Sequence, residues 1–248
     1  MSAMSVRILR SRWLPVLAAA VCAGLIPMGL PSAASAPRFT ASHRAAARAH
    51  GRARWVKAWA ASPQVATPGS TAATGFNNQT VRNIVFSSVG GNLIRVRFTN
   101  TFGNVPLQIG AASIAVAGTG AGTSGPAVPL SFGGQSSMQI PIGAEALSDP
   151  VRLRVPALHD LAVSVFLPQA SGPATQHAIA QQVNYVASGN QTLDTGGTPF
   201  TTQTRSWYFV DAVDVVARRN DLGTVVALGD SITDGAHFEG QCQRPVAQ

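Results

Sequence analysis

No segment between Trp55 and about Ala217 shows a convincing helical period, and this constrains the fold more than any other feature of the chain. Strand-length runs recur instead, at residues 81–89, 93–100, 111–117, 138–142, 151–155, 161–167, 182–187 and 207–216. Loops rich in Gly, Ser, Thr and Pro separate them, the texture of an all-β domain. The 93–100 run alternates cleanly. Ile94, Val96 and Phe98 are expected on one face and Arg95, Arg97 and Thr99 on the other, one buried and one wet. Gly90-Gly91 between two such runs predicts a tight hairpin turn, and residues 119–125 a flexible loop. Many short strands with turns between them predict a mainly β fold, with a β-sandwich or jelly-roll-like domain over residues 55–219.

The formal charge of +8 suggests a nucleic-acid partner until its distribution is considered. Residues 1–54 hold eight arginines and no acid, while the ten basic residues after them match ten acidic ones. The folding part is thus neutral and offers no face for phosphates, so no nucleic-acid partner is expected. Residues 1–36 read as a secretory signal: Arg7, Arg10 and Arg12 precede an apolar run over 13–30, and Ala34-Ser35-Ala36 fits a small-x-small cleavage site. The expectation is a secreted chain with no stable membrane span after cleavage. Residues 37–54 read as a basic disordered linker. Cys22 falls in the apolar run, which leaves Cys242 alone in the mature chain without an internal disulfide partner.

Near residue 220 the texture changes. Residues 224–228 are short and continuously apolar, as in a parallel strand buried on both faces. Gly229-Asp230-Ser231-Ile232-Thr233-Asp234-Gly235 follows at once. A serine on a Gly-containing turn after a strand is where an ester hydrolase places its nucleophile. Gly229 permits the sharp turn. Ser231 at a helix start would meet a field that favours developing negative charge, and its own backbone N–H can serve as an oxyanion donor. Asp230 and Asp234 are read as supports of the turn. The block is not the Gly-x-Ser-x-Gly elbow, because Thr233 stands where the last glycine belongs.

The segment from Val226 to Gly235 resembles the nucleophile block of the GDSL, or SGNH, hydrolases. Upstream, Trp55-Val56-Lys57-Ala58-Trp59-Ala60-Ala61-Ser62-Pro63-Gln64, Thr80-Val81-Arg82, Arg95-Val96-Arg97-Phe98-Thr99-Asn100, Ser148-Asp149-Pro150-Val151 and Ser206-Trp207-Tyr208-Phe209 are similar to secreted members with an N-terminal β-domain. The resemblance implies a secreted esterase or lipase acting on an ester, an acylated glycan or a lipid, with Ser231 as nucleophile and with no metal or organic cofactor. It implies that residues 220–248 are the first strand and turn of an α/β, flavodoxin-like hydrolase domain. The family's further oxyanion donors, a Gly and an Asn, and its Asp-x-x-His base have no counterpart among these residues. The chain is therefore expected to be a truncated, inactive form.

Asp234 and His237 spell Asp-x-x-His, but His237 lies six residues after Ser231 on the same local segment and is a poor base. His43 and His50 fall in the linker, and His159 and His177 are expected to be surface or loop residues. Trp55, Trp59 and Trp207 could stack on sugars, although aromatics at strand positions more often pack. The alternative reading is a secreted β-sandwich that binds carbohydrate or a surface.

Overall fold

The computed structural model describes residues 55–217. The signal-like segment, the linker, and everything from residue 218 onward, including the 224–228 run, Gly229, Asp230, Ser231, Asp234, His237 and Cys242, lie outside the described residues.

The described residues are mainly β, as expected, with one four-residue helix. In chain order they form β1 (Trp55–Ala60), the helix α1 (Thr71–Thr74), β2 (Gln79–Ser87), β3 (Gly91–Thr99), β4 (Leu107–Ile109), β5 (Ala111–Val116) and β6 (Val128–Pro129). Then come β7 (Met138–Ile140), β8 (Glu145–Leu147), β9 (Val151–Val155), β10 (His159–Leu167), β11 (Gln176–His177), β12 (Asn184–Ser188), β13 (Thr202–Thr204), β14 (Trp207–Tyr208) and β15 (Val210–Ala217). A five-stranded sheet runs β1-β15-β3-β8, with β9 also on β3, and a six-stranded sheet runs β13-β12-β2-β10-β5-β6. Two-stranded pairs β11-β14 and β4-β7 complete the set, and every pairing is antiparallel.

One apolar cluster joins the two large sheets. Ile94, Val96, Phe98, Val213 and Val215 come from the first, and Val81, Val85, Ile114, Val163 and Val165 from the second. In β3 the expected alternation holds for the apolar face: Ile94, Val96 and Phe98 are fully buried while Arg95 and Arg97 are only half-buried. Thr99 departs from it, buried and hydrogen-bonded to Thr101 at 2.8 Å.

Two expectations need correction. The Gly90-Gly91 pair is not the turn of a hairpin, because β2 and β3 belong to different sheets and do not pair. The glycines serve close packing where the chain crosses between sheets. A Cβ on Gly91 would lie 2.4 Å from the Val216 carbonyl oxygen, and one on Gly90 2.8 Å from the Ala157 nitrogen. The 207–216 run is also not one strand. Phe209 breaks it with φ of 61°, a left-handed conformation unfavourable for a bulky residue. Two backbone bonds hold it there, Phe209 N to Thr175 O at 3.0 Å and Thr99 N to Phe209 O at 2.8 Å, and its ring packs edge-on against Phe76. The kink lets β14 pair with β11 while β15 enters the five-stranded sheet.

Candidate functional site

Ser231, with Gly229, Asp230 and Asp234 around it, lies outside the described residues, so the chemistry visible is that of the β-region. In segments 80–82, 95–100 and 148–151 most polar side chains bind backbone groups, while Arg95 and Arg97 pair with carboxylates. Arg82 points to the face of β2 away from the shared core and is fully buried. Its Nε donates to Ser164 Oγ at 2.9 Å, one Nη to Ala121 O, and the other to Asp194 O at 2.7 Å and Gln191 O at 3.3 Å. The guanidinium lies 3.9 Å over the Phe200 ring. Burial lowers its pKa to about 10, with Asp194 opposing that shift, so it stays cationic at neutral pH. It pins the segment 189–200 across the six-stranded sheet, helped by Ser113 Oγ to Thr192 O and Thr80 Oγ1 to Gly189 O, both 2.6 Å.

Other polar side chains answer backbone groups in strands and loops. Ser148 stands between β8 and β9, and its N–H and Oγ meet Val96 O and Val96 N, each at 2.9 Å. Asp149 accepts from Ser131 Oγ and from the Gly134 and Gly133 N–H groups, which hold its carboxyl below the usual range. Asn100 Nδ2 donates to the Val105, Ile140 and Pro141 carbonyls. Asn83 pairs with the backbone of Tyr208 in both directions, at 2.9 and 3.1 Å. Ile84 has its N–H bound by Asn184 Oδ1 and its carbonyl by Trp207 Nε1–H, both at 2.7 Å. Buried backbone groups must find partners, and here side chains supply them.

The histidines of this region are tied to the backbone. His159 Nδ1 is 3.0 Å from Ala157 O, and His177 Nδ1 2.9 Å from Ser62 O. The tryptophans are not flat exposed platforms. Trp59 and Trp207 meet edge-on at 4.9 Å, both packed on the core, and His177 leans on Trp207. Trp55 lies beneath the Arg95 guanidinium at 4.3 Å. Among the described residues no group of three or more His, Cys, Asp or Glu could hold a metal ion, and no helix is long and apolar enough to cross a membrane.

Two features escaped the sequence reading. One is an open groove of about 400 Å³ beside α1, lined by Ser70, Thr71, Thr74, Gln79 and Thr202 over Phe76 and Val186. The other is a charge cluster on the five-stranded sheet. Asp211 is the extra residue of a bulge, where register passes from Val210 opposite Phe98 to Ala212 opposite Arg97. Its Oδ1 accepts from Arg97 Nε at 2.7 Å, while its Oδ2 is buried without a partner. Arg97 Nη1 also reaches Glu145 at 3.5 Å. Burial, reinforced by Glu145 and opposed by Arg97, pushes the Asp211 carboxyl up to about 6. Asp214, one row along, pairs with Arg95 at 2.9 Å and Lys57 at 3.8 Å. The six residues of this cluster come from four strands, β1, β3, β8 and β15, and the bulge turns Asp211 toward Arg97. Compared with known proteins, the chain matches no protein-family model and no curated protein.

Proposed function

We propose that the chain is the β-sandwich and nucleophile strand of a secreted GDSL/SGNH-type serine ester hydrolase, with Ser231 as the attacking group. The observation that carries this reading is the apolar 224–228 run leading directly into Gly229-Asp230-Ser231-Ile232-Thr233-Asp234-Gly235. A mainly β, antiparallel region immediately before that run supports it. In the reaction, Ser231 Oγ would attack the ester carbonyl while its backbone N–H donates to the oxyanion, the alcohol would leave to give an acyl-serine, and water would then release the acyl group as the free acid. A serine hydroxyl needs a base within hydrogen-bond reach. His159 and His177 are engaged with backbone carbonyls of the β-region, and His237 lies too near Ser231 in sequence to face it across a cleft. These 248 residues alone are therefore inactive in this reading.

A serine-directed fluorophosphonate probe tests both parts. The purified chain should not label. Joined to a segment that supplies the Asn and Asp-x-x-His blocks, it should label at Ser231 and hydrolyse a short-chain aryl ester. Turnover that survives Ser231→Ala would overturn the assignment of the nucleophile. Labelling of Ser231 in the unextended chain would overturn the inactivity.

A second reading, a carbohydrate-binding module, is favoured by one observation only: the hydroxyl-lined groove beside α1. Glycan-array binding abolished by Thr71→Val with Thr202→Val would support it, and a silent array would remove it.

A further inference from the structure

We propose that Asp211 is the proton-binding member of an Asp211–Arg97–Glu145 clasp, which fastens the edge strand β8 to the β15 bulge. The geometry has three parts. Asp211 sits on the extra residue of a bulge, so its side chain is turned toward Arg97 out of the regular pleat. Its carboxyl is almost wholly buried, with side-chain exposure of 2%, and Oδ2 has no partner. A single guanidinium serves two carboxylates on different strands, through Nε to Asp211 and Nη1 to Glu145.

The surrounding charges do not relieve this imbalance. On β15, Asp214 adds a further negative charge. On β3 and β1, Arg95 and Lys57 are directed to Asp214. Arg97 is thus the cation that meets both Asp211 and Glu145. Two carboxylates with one cation between them, one of them buried, cannot both ionise without cost. A proton on Asp211 removes the repulsion and gives the buried Oδ2 edge a donor.

The sign follows from linkage. The folded chain holds this proton more tightly than the unfolded chain, whose aspartate releases it near the ordinary value of about 3.9. The clasp therefore contributes its full stability below that value and loses it as pH rises through about 6. Above that, Asp211 and Glu145 repel, and the three-residue strand β8 is the weaker partner because it lies at the sheet edge.

The test uses the full chain. Carbon-13 NMR of the carboxyl groups should place the Asp211 midpoint near 6, and Glu145→Gln should lower it by about one unit. The Ser148 and Asn100 amides flank β8 and bond to Val96 O and Ala144 O. After correction for intrinsic rates, they should exchange roughly tenfold faster at pH 7.5 than at pH 5, a change equivalent to one pKa unit. In Asp211→Asn, which mimics the protonated state, that difference should vanish. An Asp211 midpoint near 4 in the wild-type chain overturns the proposal. So does a midpoint that Glu145→Gln leaves unchanged, or an exchange profile identical in Asp211→Asn.

Discussion

The two large sheets treat their outer faces in opposite ways. The five-stranded sheet leaves its outer face to ion pairs: Arg95 with Asp214, Lys57 at the margin, and Arg97 between Asp211 and Glu145. The six-stranded sheet covers part of its outer face with the 189–200 segment, so that β2 and β10 are buried on both sides along most of their length. On the first sheet the partly exposed Lys57 and Arg95 are tolerated in pairs with Asp214, because water still screens them and each pair contributes little, whereas Asp211 on the same face is buried. A fully covered face tolerates a charge only when every donor is answered, and Arg82 meets this by binding a hydroxyl and three backbone carbonyls.

The contrast is most easily broken at Arg82. Arg82→Met keeps the volume but leaves the Ala121, Gln191 and Asp194 carbonyls unanswered. A loss of about 4 kcal/mol is expected, read as a shift in urea midpoint with unchanged slope. A loss below about 1 kcal/mol would mean that the covering segment holds without its cation. Asn83→Ala comes next. It removes the amide that pairs with Tyr208 in both directions and should cost about 3 kcal/mol, because a buried N–H and a buried C=O are both stranded. Gly91→Ala tests the crossing between the sheets. Its Cβ would meet Val216 O, and about 2 kcal/mol of destabilisation is expected. Gly125→Ala has open space around it and should change stability by less than about 0.5 kcal/mol. An equally small effect is expected on the charged face: Lys57, more than half exposed and 3.8 Å from Asp214, should cost less than about 0.5 kcal/mol as Lys57→Ala in thermal melts. A larger loss there would erase the distinction between the two faces.

The same contrast explains which strands could be read from the chain. The apolar beat of β3 was legible because one face looks into the core and the other toward water. The nearly continuous apolar run over 161–167 carries the sign of burial on both faces, whereas 81–89, with Arg82 and Asn83 in it, carries no sign that Arg82 lies inside. Short strands such as β4, β8 and β13 escaped detection because three residues hold too little pattern to register, and their existence depends on the partner strand beside them. The charge cluster escaped for a related reason. Asp211 lies more than sixty positions from Glu145 and over a hundred from Arg97, and the bulge that turns it toward them has no local signature.

What the amino-acid order determined by itself is the strand-and-turn texture, the even balance of charge after residue 54, and the contiguous block Gly229 to Gly235 behind an apolar run. Those are local properties, carried by side-chain period, by charge along the chain and by a contiguous motif. Tertiary structure alone decided that β2 and β3 part into different sheets, that Phe209 breaks a run that reads as continuous, and that motif residues such as Ser148, Asn100 and Arg82 complete the backbone's hydrogen bonds. Each of these depends on which distant backbone groups are left without a partner once the sheets have packed, and that is settled only when the chain has closed around its core.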